Sequence, residues 1–219
     1  AMHSEYTTRF RIDQRKLFLL PSCVDDKFFD RSPGCSDGDE LTLVSVGRLV
    51  PEKRFDFLIR VVAQLRKRDI RYRLEIIGDG PERANLQGLV NRLRAKDFIE
   101  LRGFVEDLPA ALARGVAYAT ASESEGCSLS LLEAMAVGMP VIGGRVPGIE
   151  EVLTAVSDAD LMPYPTERSW AECLCRLYEM DGRDRIRLGT RAKHFAQQAY
   201  SASAHGACLA HIYEQISKQ

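Results

Sequence analysis

Hydrophobic positions fall into two alternating periods from residue 41 onward. Residues 41–47 (LTLVSVG), 72–78 (YRLEIIG), 98–104 (FIELRGF), 116–120 (VAYAT) and 141–144 (VIGG) are short runs rich in apolar and β-branched residues, the mark of buried strands. Between them the period lengthens to that of a helix. Phe57, Leu58, Val61, Val62 and Leu65 form one stripe within residues 53–68, and Leu86, Leu89, Val90 and Leu93 form another after Pro81, which suits a first helical position. Residues 108–113 predict a short helix. SLLEAMAV predicts a strong one that starts near Ser128 or Ser130 and stops at Gly138 and Pro140. Residues 16–24 (KLFLLPSCV) read as a strand and exit turn broken by Pro21, and residues 32–40 as loop. After Val152 three helices are expected, around 167–180, 183–198 and 201–215. Strands alternating with amphipathic helices predict an α/β fold: a Rossmann-like parallel sheet flanked by helices, with extra C-terminal helices.

Composition narrows the picture. The 219 residues include 45% apolar and 28% charged side chains at a formal net charge of −1, which suits a globular domain and implies no nucleic-acid partner. No run approaches the ~18 apolar residues of a membrane span. Six scattered cysteines without a CxxC pair argue against a metal site or a disulfide framework and fit a cytoplasmic location. His194, His205 and His211 are expected on helix surfaces. Ala1-Met2-His3 reads as a cloning remnant, and residues 1–15 as linker or remnant ahead of a domain at 16–219.

A parallel sheet of this kind binds ligands outside the carboxyl ends of its strands. The strand exits carry Gly47-Arg48 with Lys53, Gly78-Asp79-Gly80-Pro81, Gly103-Phe104-Val105, the loop 122–130, and Gly143-Gly144-Arg145-Val146-Pro147-Gly148. Arg48 and Lys53 place two cations on one loop, a fitting pair for a diphosphate, although either alone could be merely solvated. The helix start at Ser128–Ser130 leaves outward amides that attract phosphate. Glu125 precedes that start and Glu133 lies one turn inside it. The two acids either bracket a bound phosphate or are simply a solvated loop residue and a helix-surface residue.

The spaced set resembles the C-terminal domain of the retaining nucleotide-sugar glycosyltransferases of the GT-B fold, the group 1 family. The matching residues are Gly47-Arg48 with Lys53, Gly78-Asp79-Gly80-Pro81, Gly103-Phe104, Glu125-x7-Glu133 with its EAMAVGMPV continuation, and Gly148-Ile149-Glu150-Glu151, spanning about residues 16–200. The resemblance implies that Arg48 and Lys53 neutralise the donor diphosphate and that amides near Leu129 and Ser130, beside Gly126 and Ser128, hold the distal phosphate. It further implies that Glu133 binds the ribose, that Phe104 and Val105 meet the base, that Gly47 and Gly80 let the backbone approach, and that Glu125 lies against the donor sugar. No metal or other cofactor is expected. The expected partners are a nucleotide-sugar donor and a glycan or lipid-linked acceptor in polysaccharide synthesis, with peripheral membrane association open to the full-length enzyme. The acceptor-binding half is expected to lie outside these residues, so this half alone should transfer no sugar.

Two departures stand out. Cys127 and Ser128 replace an aromatic and a glycine common after Glu-Gly, and Ser22-Cys23 replaces a common Asn-Gly. A nucleotide-sugar epimerase half or a non-catalytic binding module on the same fold are the alternatives. Histidine-poor loops weigh against the first, and retention of Arg48, Lys53 and both acids against the second. A dehydrogenase is disfavoured because no G-x-G-x-x-G follows the first strand.

Overall fold

The computed structural model describes residue 13 and residues 16–34, 40–156 and 161–217. Five parallel strands, β1 (Leu41–Val46), β2 (Tyr72–Ile77), β3 (Ile99–Gly103), β4 (Ala117–Thr120) and β5 (Val141–Gly143), form one sheet in the order β3-β2-β1-β4-β5. Four helices belong to the crossovers, α1 (Phe55–Arg66), α2 (Arg83–Arg92), α3 (Leu108–Leu112) and α4 (Leu129–Val137), and α5 (Pro147–Thr154) follows the last strand. Three more follow: α6 (Glu167–Glu179), α7 (Gly182–Tyr200) and α8 (Ala202–Ser217).

Alternation along the strands separates two cores. Leu41 and Leu43 of β1, Ala117 and Ala119 of β4 and Ile142 of β5 face one layer, with α1, α2 and α6. Val44, Tyr118 and Val141 face the other, with α3, α4, α5 and α7. A strand's period of two produces this division directly. The strand order reverses between β1 and β4, so α1 and α4 leave the sheet to opposite faces and their starting loops open a crevice between them.

The C-terminal helices are fixed to both layers. Trp170 of α6 is buried edge-on against Phe57 of α1, at 5.8 Å between ring centroids, and Tyr72 donates to the Leu174 carbonyl at 2.9 Å. On the other face α7 crosses the end of α4, where Gly138 closes the helix in the left-handed region at φ 94°. A β-carbon at Gly189 of α7 would lie 1.9 Å from the Gly138 carbonyl oxygen, so only glycine permits that crossing. Among its described residues α8 buries none.

The expected strands and late helices are present within one to three residues, with three differences. Residues 16–24 form no strand. They run along α7 and α8 instead, with the Val24 amide donating to the Tyr200 carbonyl at 2.8 Å and His205 Nδ1 2.8 Å from the Pro21 carbonyl. Of that apolar run only Val24 is buried, and Leu19 is 68% exposed. Pro21 has no amide to offer a sheet ladder, and α7 and α8 give the segment carbonyl and ring partners instead. Pro81 lies in a turn two residues before α2 rather than at its first position. Helix α5, unforeseen in the sequence, begins at Pro147 and is thus started by the Pro-Gly pair that reads as loop. His194 and His211 are exposed as expected, whereas His205 is half-buried; His3 lies outside the described residues.

Candidate functional site

The strand exits of β1, β2 and β3 meet first through backbone. The Gly47 amide donates to the Ile77 carbonyl and the Gly78 amide to the Gly103 carbonyl, at 3.0 and 2.8 Å. A β-carbon at Gly80 would lie 2.5 Å from the Leu49 carbonyl oxygen. The glycine at position 80 is therefore explained by packing against the neighbouring loop rather than by approach to a ligand, and it does not line the cleft above it. Gly47 does line it, and a β-carbon there would stand at ordinary contact distance from Phe55 and Lys53. That cleft, about 350 Å³, is walled by Val46, Ile77, Val105 and Leu108, with Arg48, Asp79 and Phe104 at its mouth. Phe104 is 84% exposed, an aromatic face held out in water. Arg48 is exposed and makes no ion pair among the described residues.

Lys53 stands at the end of a 3₁₀ turn, Pro51–Lys53, and reaches across to Glu125 in a salt bridge. The Glu125 side chain is only 10% exposed. Its Oε1 also accepts a hydrogen bond from Ser122 Oγ at 2.8 Å, and Ser122 in turn sits 3.2 Å from Thr120 Oγ1. Two further ties join the same loops: the Glu123 amide donates to the Glu52 carbonyl, and Arg54 pairs with Glu123. Behind Glu125, a β-carbon at Gly148 would lie 2.2 Å from the Glu125 carbonyl oxygen, so the start of α5 presses on this loop. Glu125 is thus held on one oxygen by a cation and a hydroxyl, while its second oxygen has no partner among the described residues.

Ser128 is the N-cap of α4 and is buried, yet its side chain caps no amide. The first-turn amides of a helix have no intrahelical acceptor, so those of Leu129 and Ser130 remain available beside the exposed Gly126. The Ser130 hydroxyl points inward. It donates to the Val46 carbonyl at 3.2 Å and lies 2.8 Å from Tyr118 Oη, so this position offers a ligand its amide but not its side chain. Leu129 is half-exposed at the same turn.

Glu133, one turn further, has no hydrogen-bond or ion-pair partner among the described residues. Burial pushes its carboxyl up to about 7, against a downward pull from Lys27 and a smaller upward push from Asp25. A half-buried carboxylate without a donor is costly unless a ligand supplies one.

Sequence reasoning missed Ser122 and Tyr118 as shapers of this site, and placed Gly148 at a strand exit without its contact to the Glu125 backbone. Ser122 had a signal, a hydroxyl three residues before the loop acid. Tyr118 had a weaker one, the single phenol in a small-residue strand.

The family model described as Glycosyl transferases group 1 matches residues 26–195. The chain belongs to that family. The chain is 26% identical over 212 residues to the putative colanic acid biosynthesis glycosyltransferase WcaL of Escherichia coli, covering 93% of the chain and 52% of that protein. It is 29% identical over 183 residues to the GtfA subunit of a UDP-N-acetylglucosamine–peptide N-acetylglucosaminyltransferase of Streptococcus pneumoniae, covering 80% of the chain and 36% of the relative. The chain thus spans about half or less of the length of these relatives. Its fold superposes on S. aureus TarM, solved with UDP among its ligands, at a TM-score of 0.81 and 19% identity over 97% of the chain and 41% of TarM. The likeness bears out the expected half of a GT-B architecture.

Proposed function

We propose that this chain is the nucleotide-sugar donor-binding domain of a retaining glycosyltransferase that moves a sugar from a nucleoside diphosphate sugar to a glycan or lipid-linked acceptor. The observation that carries the reading is the open first turn of α4, set between a braced acid, Glu125, and an unpartnered one, Glu133. Arg48 and Lys53 take the diphosphate, and the amides of Leu129 and Ser130 take its distal phosphate, where the helix dipole adds to their pull. Glu133 accepts hydrogen bonds from the ribose hydroxyls. The base enters the cleft beside Phe104 and Val105. Glu125 lies against the sugar, its free oxygen toward the hydroxyls and the positive charge that develops at the anomeric carbon. Lys53 has three donors, so it can keep Glu125 while it meets a phosphate oxygen. Neutralisation by two side-chain cations calls on no metal ion. The acceptor and the remaining catalytic groups belong to a second half of the enzyme, and WcaL supports a setting in polysaccharide synthesis. Such an enzyme works in the cytoplasm, with the full-length protein able to meet a membrane surface; within the described residues no helix is long and apolar enough to cross one.

Titration calorimetry of this chain with UDP, GDP, ADP and the matching nucleosides tests the proposal. UDP is the first choice because the TarM structure holds it. One diphosphate should bind weakly and well ahead of its nucleoside, with no sugar transfer by the chain alone. Equal affinity for nucleoside and diphosphate would contradict the phosphate cradle, and clear transfer by the isolated chain would contradict the half-enzyme reading.

A further inference from the structure

Three elements of the proposed phosphate cradle meet at one buried point. Tyr118, the second residue of β4, has a fully buried side chain on the α4 side of the sheet. Its Oη lies 2.8 Å from Ser130 Oγ, in the first turn of α4, and 3.4 Å from the carbonyl oxygen of Val46, the last residue of β1. Ser130 Oγ lies 3.2 Å from the same carbonyl. A serine hydroxyl has one proton, and the Val46 carbonyl can only accept. Two arrangements satisfy this, Ser130 donating to Val46 with Tyr118 donating to Ser130, or Tyr118 donating to Val46 with Ser130 donating to Tyr118, and in both the three groups form one relay.

The two ends of this relay are the two halves of the cradle. Val46 leads through Gly47 to Arg48, and Ser130 carries one of the open helix amides. We infer that Tyr118 is a positioning residue for diphosphate recognition: its buried hydroxyl locks the register between the Arg48 loop and the first turn of α4. The inference rests on the cradle reading given above. Burial pushes the phenol well above its ordinary range, so it remains a donor at any working pH. Phenylalanine fills nearly the same volume, so a role in packing alone predicts no ligand-specific effect of Tyr118→Phe.

The test is Tyr118→Phe in this chain, read by backbone hydrogen exchange at residues 129–131 and by calorimetry with UDP and uridine. Loss of one buried hydrogen bond should weaken UDP binding about 3- to 10-fold and speed exchange at 129–131 by a similar factor. Uridine affinity should change less than about twofold, since the relay acts on the phosphate end. Ser130→Ala should reproduce the pattern, and Ser130→Thr, which keeps the hydroxyl, should restore UDP affinity. If the unaltered chain binds UDP and Tyr118→Phe leaves exchange and affinity as they were, or weakens UDP and uridine alike, the positioning role is wrong. An unaltered chain that binds neither UDP, GDP nor ADP removes the cradle reading, and the role with it, whatever the exchange data show.

Discussion

Glu125 and Glu133 stand on either side of one helix start, and the fold treats them in opposite ways. Glu125 is nearly buried and braced on one side: Lys53 and Ser122 hold one oxygen, Thr120 backs Ser122, and the start of α5 leans on its backbone. Glu133 is half-buried with no partner, and its proton is held up to about pH 7. A braced carboxylate keeps one geometry before and during a reaction, as a group acting in the transition state must. An unpartnered one gains most from a ligand that brings donors. The difference teaches that two acids eight residues apart in one motif can be given opposite environments, and on the proposed reading they would serve two tasks.

The largest effect should come from the braced acid. Glu125→Ala in the full-length enzyme should lower turnover by about 10²-fold or more, the scale for one positioned catalytic group. Steady-state kinetics would show it in kcat more than in KM. Unchanged turnover would dissolve the contrast.

Next in size is the cation that braces it. Lys53→Ala should weaken nucleoside diphosphate binding by about 1.5–3 kcal/mol, the range for hydrogen bonds to charged groups, with much less loss for the nucleoside. Equal losses by calorimetry would mean that Lys53 serves Glu125 alone and does not reach the phosphates.

The smallest effect sharpens the other side. The folded chain holds the Glu133 proton to about pH 7, above the ordinary 4.5, mainly because of burial. That preference stabilises the fold fully below the ordinary value and is lost as pH rises through about 7. Glu133→Gln removes the loss. At pH 8 the variant should be more stable by about 1–2 kcal/mol, a figure lowered for the solvent that still reaches the group. The gain should shrink toward pH 5, as followed by urea melts at both pH values. Nucleotide affinity of the unaltered chain should fall as pH drops through about 7, and Glu133→Gln should flatten that slope. A gain that is largest at acid pH would show that Glu133 is charged and satisfied in the fold.

Strands and helices were legible because burial on one or two faces imposes periods of two and 3.6, and a sheet buried on both faces writes those periods strongly. The run at 16–24 misled because its apolar residues resemble a strand, whereas its partners are the Tyr200 carbonyl and the His205 ring, far away in sequence. Helix α5 escaped because Gly148 reads as loop, although its lack of a side chain serves contact with the Glu125 backbone. Within the candidate site, the charges and the helix start were readable as local chemistry. The inward turn of Ser130 was not. Both Ser128 and Ser130 can begin a helix on paper, and only the phase of α4 against β1 and β4 decides which hydroxyl meets Tyr118. The loop packing of Gly80 was hidden for the same reason, since its neighbour Leu49 belongs to another strand exit.

The division of labour is tested most directly by titrating UDP, or whichever of UDP, GDP and ADP binds best, into this chain and into its Glu125→Ala and Glu133→Ala variants. Glu133→Ala should raise the Kd about 10-fold or more, because it removes an acceptor that the ligand uses before any chemistry. Glu125→Ala should leave the Kd within about threefold of the unaltered chain, since uniform binding and transition-state stabilisation are separate quantities. A Glu125→Ala variant that no longer binds the nucleotide, beside a Glu133→Ala variant that binds as before, would contradict the account.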